Sequence, residues 1–289
     1  MHKSGKSDPG SLLRARSVRS GGKASKFCLP EIDCEDITRQ CVQFIKKEVA
    51  RAGVSGAVLG LSGGVDSAVV AALCVRALSP QKVTALIMPY KTSSPDSISD
   101  AEDLASKLAI ETGKIEITPM IDAYFSMHPD ADIIRRGNKM ARERMAILYD
   151  YSKILNSLVV GTGNKTEYLF GYFTLFGDGA YAINPIGDLY KTETYQLAKY
   201  LSVPHKIIQK KPSADLWKGQ TDEAELGFTY KEVDKILYLI FDCGRNERQL
   251  ISEGFSAEMI AHVSAKIAST EFKRRPPRIL SLRKYRRTS

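Results

Sequence analysis

Ser62-Gly63-Gly64-Val65-Asp66-Ser67 is the stretch that decides the fold class of this chain. It follows the apolar run at 57–61 and opens a segment with helical periodicity. Two adjacent glycines let the backbone approach an anion closely, and the amide groups at the start of the next helix bind phosphate. The hydroxyls of Ser62 and Ser67 add donors, and the Asp66 carboxylate can hold a magnesium ion. The stretch therefore predicts a phosphate site at the end of a strand.

This loop is not a Walker A motif, because it has a carboxylate where that motif has its lysine. An acidic loop that binds phosphate requires a metal ion to offset the charge. The pattern SGGxDS resembles the signature of the ATP pyrophosphatase superfamily, in which the loop holds pyrophosphate and ATP is cleaved between its α and β phosphates. That superfamily also contains GMP synthetase and tRNA-modifying enzymes, and the loop alone does not choose among them. A plain Gly-rich turn is the structural alternative.

Strands and helices alternate on both sides of the loop. This alternation predicts an α/β fold, a doubly wound parallel sheet with helices on both faces. It agrees with the Rossmann-like, adenine nucleotide alpha hydrolase-like fold that the resemblance implies. Ligands bind such sheets outside the carboxyl ends of the strands, where the loops 62–67 and 161–167 both fall. The predicted strands are 57–61, 83–88, 114–118 and 157–160, and the predicted helices among them are 32–52, 67–78, 98–109 and 132–155.

From residue 191 onward the pattern is helical, which predicts a helical C-terminal part. Helices are expected near 231–241, 246–253 and 256–270, after a loop at 210–227. No internal repeat or linker is present, so we expect one domain at 29–280.

Basic residues are concentrated at the two ends of the chain. The formal charge is +9, to which residues 1–26 contribute +6 and residues 273–289 contribute +8, so the rest of the chain carries −5. Residues 1–28 are polar and rich in Ser, Gly, Lys and Arg, which predicts a disordered tail. A second basic tail is expected at 281–289. Such tails can bind nucleic acid, which is an alternative function class, although short basic ends are more often only solvated.

The composition argues against a membrane-spanning or secreted protein. There is no run of about 18 apolar residues, and the polar N-terminus lacks the apolar region of a secretory signal. The five cysteines match neither a zinc site nor a CxxC pair, and an odd number suits a reducing compartment. We therefore expect a cytoplasmic protein whose thiols have no catalytic role.

Further stretches distinguish among the members of the superfamily, and their order and spacing resemble those of NAD synthetases over roughly residues 32–280. The stretches are GNKMARERM at 137–145, GTGNKTE at 161–167, FGDG at 176–179, NPIGDLYK at 184–191, KPSADL at 211–216 with GQTDEAELG at 219–227, and EFKRRPP at 271–277. The resemblance implies ATP-dependent amidation of nicotinic acid adenine dinucleotide (deamido-NAD), with magnesium as the cofactor. In this family the active unit is a homodimer, which the resemblance implies here too.

The same resemblance assigns catalytic and ATP-binding residues. Asp66 and Glu167 would share the magnesium ion, which suits hard oxygen ligands. Lys191 would supply positive charge at the crowded α-phosphate, so Asp66 and Lys191 are the expected catalytic residues. The residues that would bind ATP are Gly60, Leu61, Ser62, Gly63, Gly64, Val65, Asp66, Ser67, Thr162, Lys191 and Ser213.

Structural alternatives exist for several of these assignments. Glu167 could be a first-turn acid that only favours the helix dipole, and Lys191 could be an exposed cation at a helix start. For Asp178, a carboxylate that binds the backbone of a turn is nearly as reasonable as a substrate contact.

The resemblance places Arg142, Phe272 and Lys273 in contact with deamido-NAD. Cations suit a substrate that carries a pyrophosphate and a carboxylate. Arg142 could instead belong to a solvated helix face, and Lys273 to the basic tail. In the better-known bacterial branch a lysine and an aspartate contact substrate where this chain has Leu175 and Ala182, so those two contacts do not carry over.

The chemistry follows from the poor reactivity of a carboxylate. The nicotinate carboxylate is expected to attack the α-phosphorus of ATP, forming an acyl adenylate and releasing pyrophosphate into the loop at 62–67. Ammonia would then displace AMP. The glutamine-using relatives carry a large N-terminal amidase domain, and the roughly 60 residues before the loop carry no Cys-centred glutaminase, so free ammonia is the expected nitrogen source. A separate glutaminase subunit remains an alternative.

Overall fold

Four parallel strands form the sheet of this protein, in the order β3-β2-β1-β4. The computed structural model describes residues 27–213, residue 222 and residues 227–282. β1 lies in the middle and pairs with both β2 and β4, with Ala57 opposite Val83 on one side and Leu158 on the other. The strands are β1 Gly56–Gly60, β2 Val83–Ile87, β3 Glu111–Lys114 and β4 Ser157–Val159.

Helices cover both faces of this sheet, as the alternation of strands and helices predicted. The helices of the α/β part are α1 Cys34–Arg51, α2 Val65–Leu78, α3 Pro95–Leu108, α4 Thr118–Phe125, α5 Ile133–Ile154, α6 Lys165–Phe170, α7 Lys191–Tyr200 and α8 His205–Gln209. Leu59 and Ile87 point into a core shared with α1, α2, α3, α7 and α8. Val58 and Leu86, the alternate residues, point into a second core with α4 and α5. Alternating side chains thus bury both faces, which is the expected behaviour of a doubly wound sheet.

The C-terminal part is helical, again as predicted. Its helices are α9 Tyr230–Phe241, α10 Glu247–Ser252 and α11 Ala257–Ser269. Each is preceded by an N-cap residue whose side chain accepts a hydrogen bond from a backbone N–H of the first turn. These N-cap residues are Thr229, Asn246 and Ser256. These helices form a third core with Leu169 and Phe170 of α6. The C-terminal part is therefore fixed to the short helix that follows β4.

One predicted strand is displaced. The pattern predicted a strand at 114–118, whereas β3 spans Glu111–Lys114 and α4 begins at Thr118. Glu111 and Lys114, at the two ends of β3, are exposed. β3 lies at the edge of the sheet and contains few apolar residues. The apolar residues after it, Ile115 and Ile117, continue the hydrogen bonding by donating to the carbonyls of Ile87 and Pro89. The hydrophobic signal therefore marks the carboxyl end of the strand.

Two further observations concern the membrane and cysteine predictions. Within the described residues, no helix has the length and apolar character needed to cross a bilayer. All five cysteines are present as thiols and not as disulfides, and those of Cys41 and Cys74 are buried. The two predicted basic tails fall mainly on residues 1–26 and 283–289, and much of the predicted loop falls on 214–221 and 223–226. Those residues lie outside the described part of the chain.

Two glycines that follow helix ends give a matched test of how the C-terminal part is attached. Gly171 after α6 has φ of +62°, and a Cβ built on it would lie 2.3 Å from Thr270 Cβ. Gly53 after α1 has φ of +67°, with nothing within 4 Å of its Cβ position. Gly53→Ala should lower the free energy of unfolding by about 1–2 kcal/mol through backbone strain. Gly171→Ala should cost about 1–3 kcal/mol more, because its methyl group also meets Thr270. Denaturant titration measures both losses, and equal losses would contradict this packing.

Candidate active site

A cavity of about 720 Å³ opens at the carboxyl edge of the sheet. Its walls come from the loop after β1, the loop after β4 and the start of α7, with further residues from α5 and α6. All the residues predicted to bind ATP line this cavity, including Thr162 and Ser213, which lie far from the phosphate loop in the sequence. The fold therefore brings the predicted ATP set together in one place.

The loop after β1 is held tightly at the N-terminus of α2. Gly63 has φ of +74°, and a Cβ on it would lie 2.1 Å from the carbonyl oxygen of Ser97. Only glycine fits this close approach of α3 to the loop. Ser67 Oγ donates to the carbonyl of Gly64 at 3.1 Å and accepts from the Ser62 N–H at 3.3 Å. The loop thus presents the first amides of a 14-residue helix to the cavity, which is the geometry that binds phosphate.

A lysine bridges two carboxylates beside this loop. Lys191 Nζ lies 2.5 Å from Asp66 Oδ2 and 3.2 Å from Glu167 Oε1, and its side chain is only 3% exposed. The three residues stand at the starts of α2, α6 and α7, so three helix N-termini converge on one point. Those positive helix ends stabilise the two carboxylates and destabilise the lysine ammonium. The ammonium is stabilised instead by its direct contacts with Asp66 and Glu167. Lys191 is thus not the exposed cation of the structural alternative.

The protonation of this cluster follows from burial and pairing. Burial alone would lower the pKa of Lys191, but the charges of Asp66 and Glu167 outweigh it and raise that pKa. Burial raises the pKa of Glu167, the Lys191 ammonium opposes the rise, and the neighbouring Asp66 adds to it. One cation is paired with two acids, so the same two carboxylates would also suit a divalent cation in place of the Lys191 ammonium.

Asn164 positions both carboxylates, although the sequence analysis gave it no role. Its side chain is fully buried; Nδ2 donates to Asp66 Oδ1 at 3.0 Å, and Oδ1 accepts from the Glu167 N–H at 3.0 Å. The Asn164 N–H in turn donates to Glu167 Oε2, which completes a capping box at the start of α6. The spacing Asn-x-x-Glu after a strand is a local signal for the capping box with Glu167, but not for the hydrogen bond to Asp66.

Two tyrosines and an aspartate form a polar wall next to Lys191. Asp222 accepts from the hydroxyls of Tyr172 at 3.2 Å and Tyr230 at 2.9 Å. The Tyr230 ring centroid lies 5.1 Å from Lys191 Nζ, so the ring covers the ammonium on that side. Asp222 lies in the stretch 219–227, but no role for it was predicted, and its bond to Tyr172 joins residues 50 positions apart.

The residues predicted to contact deamido-NAD are not all in the cavity. Lys273 lines it, and Lys273 Nζ donates to the carbonyls of Gly171 and Phe173, both at 2.7 Å. Phe272 is 63% exposed and lies outside the lining. Arg142 also lies outside it and donates from Nε to the carbonyl of Leu175 at 3.2 Å. Arg144, two residues further along α5, does line the cavity.

Both interpretations of Asp178 have structural support. Its Oδ1 accepts from the N–H of Thr174 at 2.9 Å, which is the turn-binding role. Asp178 also lines the cavity, near the Lys273 side chain. A carboxylate in this place can hold the turn and face a ligand at the same time.

A divalent cation would find two protein ligands here. In the part of the chain that the structure describes, no three His, Cys, Asp or Glu side chains are grouped to hold a metal ion. Asp66 and Glu167 are the pair that faces a common point, now filled by Lys191 Nζ. Two carboxylates with the remaining ligands from phosphate oxygens and water are the usual surroundings of Mg²⁺ in nucleotide sites. The donor set therefore fits magnesium bound together with a nucleotide.

Comparison with known proteins identifies the family of this chain. The profile of the NAD synthase family matches residues 37–277. An NH(3)-dependent NAD(+) synthetase of Fusobacterium nucleatum subsp. nucleatum is 48% identical over 254 residues, which cover 88% of this chain and 98% of that protein.

Solved structures agree as well. The NMN synthetase from Francisella tularensis superposes with a TM-score of 0.78 at 35% identity, covering 87% of this chain and all of that one. The NH3-dependent NAD synthetase from Campylobacter jejuni, in complex with the nitrate ion, gives a TM-score of 0.75 at 39% identity, with 86% of this chain and all of that one covered. On the family profile and the near-complete coverage of these relatives, this chain belongs to the NAD synthase family.

Proposed function

We propose that this chain catalyses the ATP-dependent amidation of deamido-NAD by ammonia, giving NAD, AMP and pyrophosphate. It is a ligase that forms a C–N bond, as its near full-length relatives named NH(3)-dependent NAD(+) synthetases indicate. The observation that carries the mechanism is the convergence of Asp66, Glu167 and Lys191 beside the phosphate loop. This cluster supplies charge where ATP must be cleaved.

In the first step, a carboxylate oxygen of the substrate bonds to the α-phosphorus of ATP as the bond to the β-phosphate oxygen breaks. The amides at the start of α2, with Ser62 and Ser67, bind the departing pyrophosphate. Lys191 is buried and contacts Asp66 beside the phosphate loop. From this place its ammonium can offset the negative charge that builds up on the α-phosphate. Magnesium, held by Asp66 and Glu167, would supply charge neutralisation to the phosphates when bound.

In the second step, ammonia attacks the acyl carbon, the bond from that carbon to the AMP oxygen breaks, and the nitrogen loses a proton. No side chain needs to form a covalent intermediate. Burial raises the pKa of the Cys41 and Cys74 thiols to about 11 and about 12, so both are unreactive. The presence of thiols in place of disulfides also supports a reducing, cytoplasmic setting, which we propose for this protein.

A second acceptor has support from one neighbour. The Francisella tularensis protein is named an NMN synthetase, and NMN is the amide of nicotinic acid mononucleotide. Arg142 and Phe272, two of the three residues expected to contact the dinucleotide, lie outside the cavity of the single chain. The mononucleotide is therefore the alternative acceptor.

A homodimer would bring further residues to the site. We propose that two copies associate through the outer face of α4 and α5, where large apolar side chains are exposed. These are Met120 and Tyr124 on α4, Met127 just after it, and Ile133 and Tyr149 on α5. An apolar face of this kind on a soluble enzyme is typical of an interface between copies. One of these two helices, α5, also carries Arg142 and Arg144.

Product analysis tests the proposed function. Purified protein with ATP, Mg²⁺, ammonium and deamido-NAD should give NAD, AMP and pyrophosphate in equal amounts. Asp66→Ala and Glu167→Ala should each reduce all three by at least about a hundredfold, because loss of a metal ligand weakens magnesium binding and leaves the phosphate charges uncompensated. Formation of NMN from the mononucleotide at a higher kcat/KM would favour the alternative acceptor. ATP cleavage with neither acceptor would reject both.

Metal binding gives a second test, in which removal of the Lys191 charge should strengthen binding of a divalent metal ion. In the nucleotide-free protein Lys191 fills the point between Asp66 and Glu167, so it should compete with a metal ion. Lys191→Gln should therefore bind Mn²⁺, followed by electron paramagnetic resonance without nucleotide, at least about tenfold more tightly than the unchanged protein. The same variant should bind ATP more weakly.

Two control variants isolate the charge at residue 191. Lys191→Arg keeps the cation and should leave Mn²⁺ binding weak. Lys165→Gln removes an equal charge from a side chain that is 15% exposed and pairs with Asp188 and Asp242, not with Asp66 or Glu167, and should also leave Mn²⁺ binding weak. Unchanged Mn²⁺ affinity in a folded Lys191→Gln variant, with folding checked by circular dichroism, would reject the competition.

A further inference from the structure

Asp234 is a fully buried carboxylate outside the cavity, with no part in the chemistry described above. It lies on α9 and accepts three hydrogen bonds. Thr166 Oγ1 donates to its Oδ1 at 2.5 Å, while the N–H and the hydroxyl of Thr192 both donate to its Oδ2 at 2.8 Å. A single side chain of the C-terminal part thus joins α6 to α7.

The two threonines are the immediate neighbours of the charged residues of the site. Thr166 precedes Glu167 on α6, and Thr192 follows Lys191 on α7. Thr166 Oγ1 also accepts from the Lys191 N–H at 2.9 Å, which closes the network across the two helix starts. Glu167 and Lys191 are therefore each anchored to Asp234 through an adjacent residue.

The packing of α9 against α6 does not require a charged residue at position 234. Leu237 and Phe170, with other buried apolar residues, already join α9 to α6. Burial raises the pKa of Asp234 to about 6, against the lowering effect of the hydrogen bonds from Thr166 and Thr192. A buried carboxylate is unfavourable, and an apolar residue of similar volume often serves stability as well or better. Directional bonds, by contrast, set the relative placement of the two helix starts.

We propose that Asp234 is a positioning residue for the amidation reaction. It holds the starts of α6 and α7 in the relative placement that lets Glu167 and Lys191 reach the same point beside Asp66. This inference rests on the proposed function and deepens it. A shift of about 1 Å in reacting groups can cost about a hundredfold in rate, so loss of this network should reduce the chemical step more than substrate binding.

Two substitutions at Thr166 test the positioning role of Asp234 with little change in side-chain volume. Thr166→Val removes the hydroxyl and keeps the shape, and it should lower kcat by at least about tenfold, with the KM values for ATP and the acceptor within about threefold. Thr166→Ser keeps the hydroxyl and should restore most of kcat. Asp234→Asn keeps the size but loses an acceptor for Thr192, so it should lower kcat similarly if it folds.

Thr194→Val is the matched control. Thr194 is on α7 and equally buried, but its hydroxyl donates only to the carbonyl of Tyr190 one turn earlier. This variant should keep kcat within about threefold, since it loses a buried hydroxyl without loosening the network. A drop in kcat equal to that of Thr166→Val would assign the effect to general destabilisation and overturn the proposal. So would a normal kcat in Thr166→Val.

Crystal structures of the Thr166 variants give a readout that does not depend on activity. The distance of 3.2 Å between Lys191 Nζ and Glu167 Oε1 should lengthen in Thr166→Val and return in Thr166→Ser. An unchanged distance in Thr166→Val would reject the positioning role, even if the unchanged protein made no NAD. If the unchanged protein made no NAD but the ion pair were broken in Thr166→Val, only the proposed function would be rejected.

Discussion

The ammonium of Lys191 lies between the carboxylates of Asp66 and Glu167, and much of the molecule is arranged around this ion-pair cluster. Three helices begin there, so three positive helix ends face two acids and one base. The Lys191 side chain is almost closed to solvent, and the Tyr230 ring lies over its ammonium. Charges in such surroundings interact strongly, so removal of one member leaves the charge of its partners uncompensated.

The fold explains why these residues meet. In a parallel sheet every strand ends at the same edge, so the helices that follow β1 and β4 begin side by side. α7 packs next to α2 in the core on one face, which places Lys191 at that edge too. The C-terminal helices extend the arrangement from outside the sheet, through Asp234 and Tyr230 on α9. A site for ATP and a carboxylate substrate thus depends on both parts of the chain.

The sequence predicted the features that have local signals. The two glycines and the apolar runs marked the phosphate loop and three of the four strands, because those patterns need only neighbouring residues. β3 was displaced, since an exposed edge strand carries little hydrophobic signal. Asn164 bonds to a residue 98 positions away, and Asp234 to one 68 positions away, so pattern alone did not indicate these hydrogen bonds. Where Arg142 and Phe272 point depends on tertiary packing and was equally inaccessible to pattern.

Activation of the substrate carboxylate at the α-phosphorus of ATP is tested most directly by isotope transfer. Deamido-NAD labelled with oxygen-18 in its nicotinate carboxylate would be converted with unlabelled ATP, and the products examined by mass spectrometry. Because ammonia breaks the bond between the acyl carbon and the AMP oxygen, one labelled oxygen should appear in the phosphate of AMP. Label in inorganic phosphate, with ADP as the nucleotide product, would show attack at the terminal phosphorus and contradict this account.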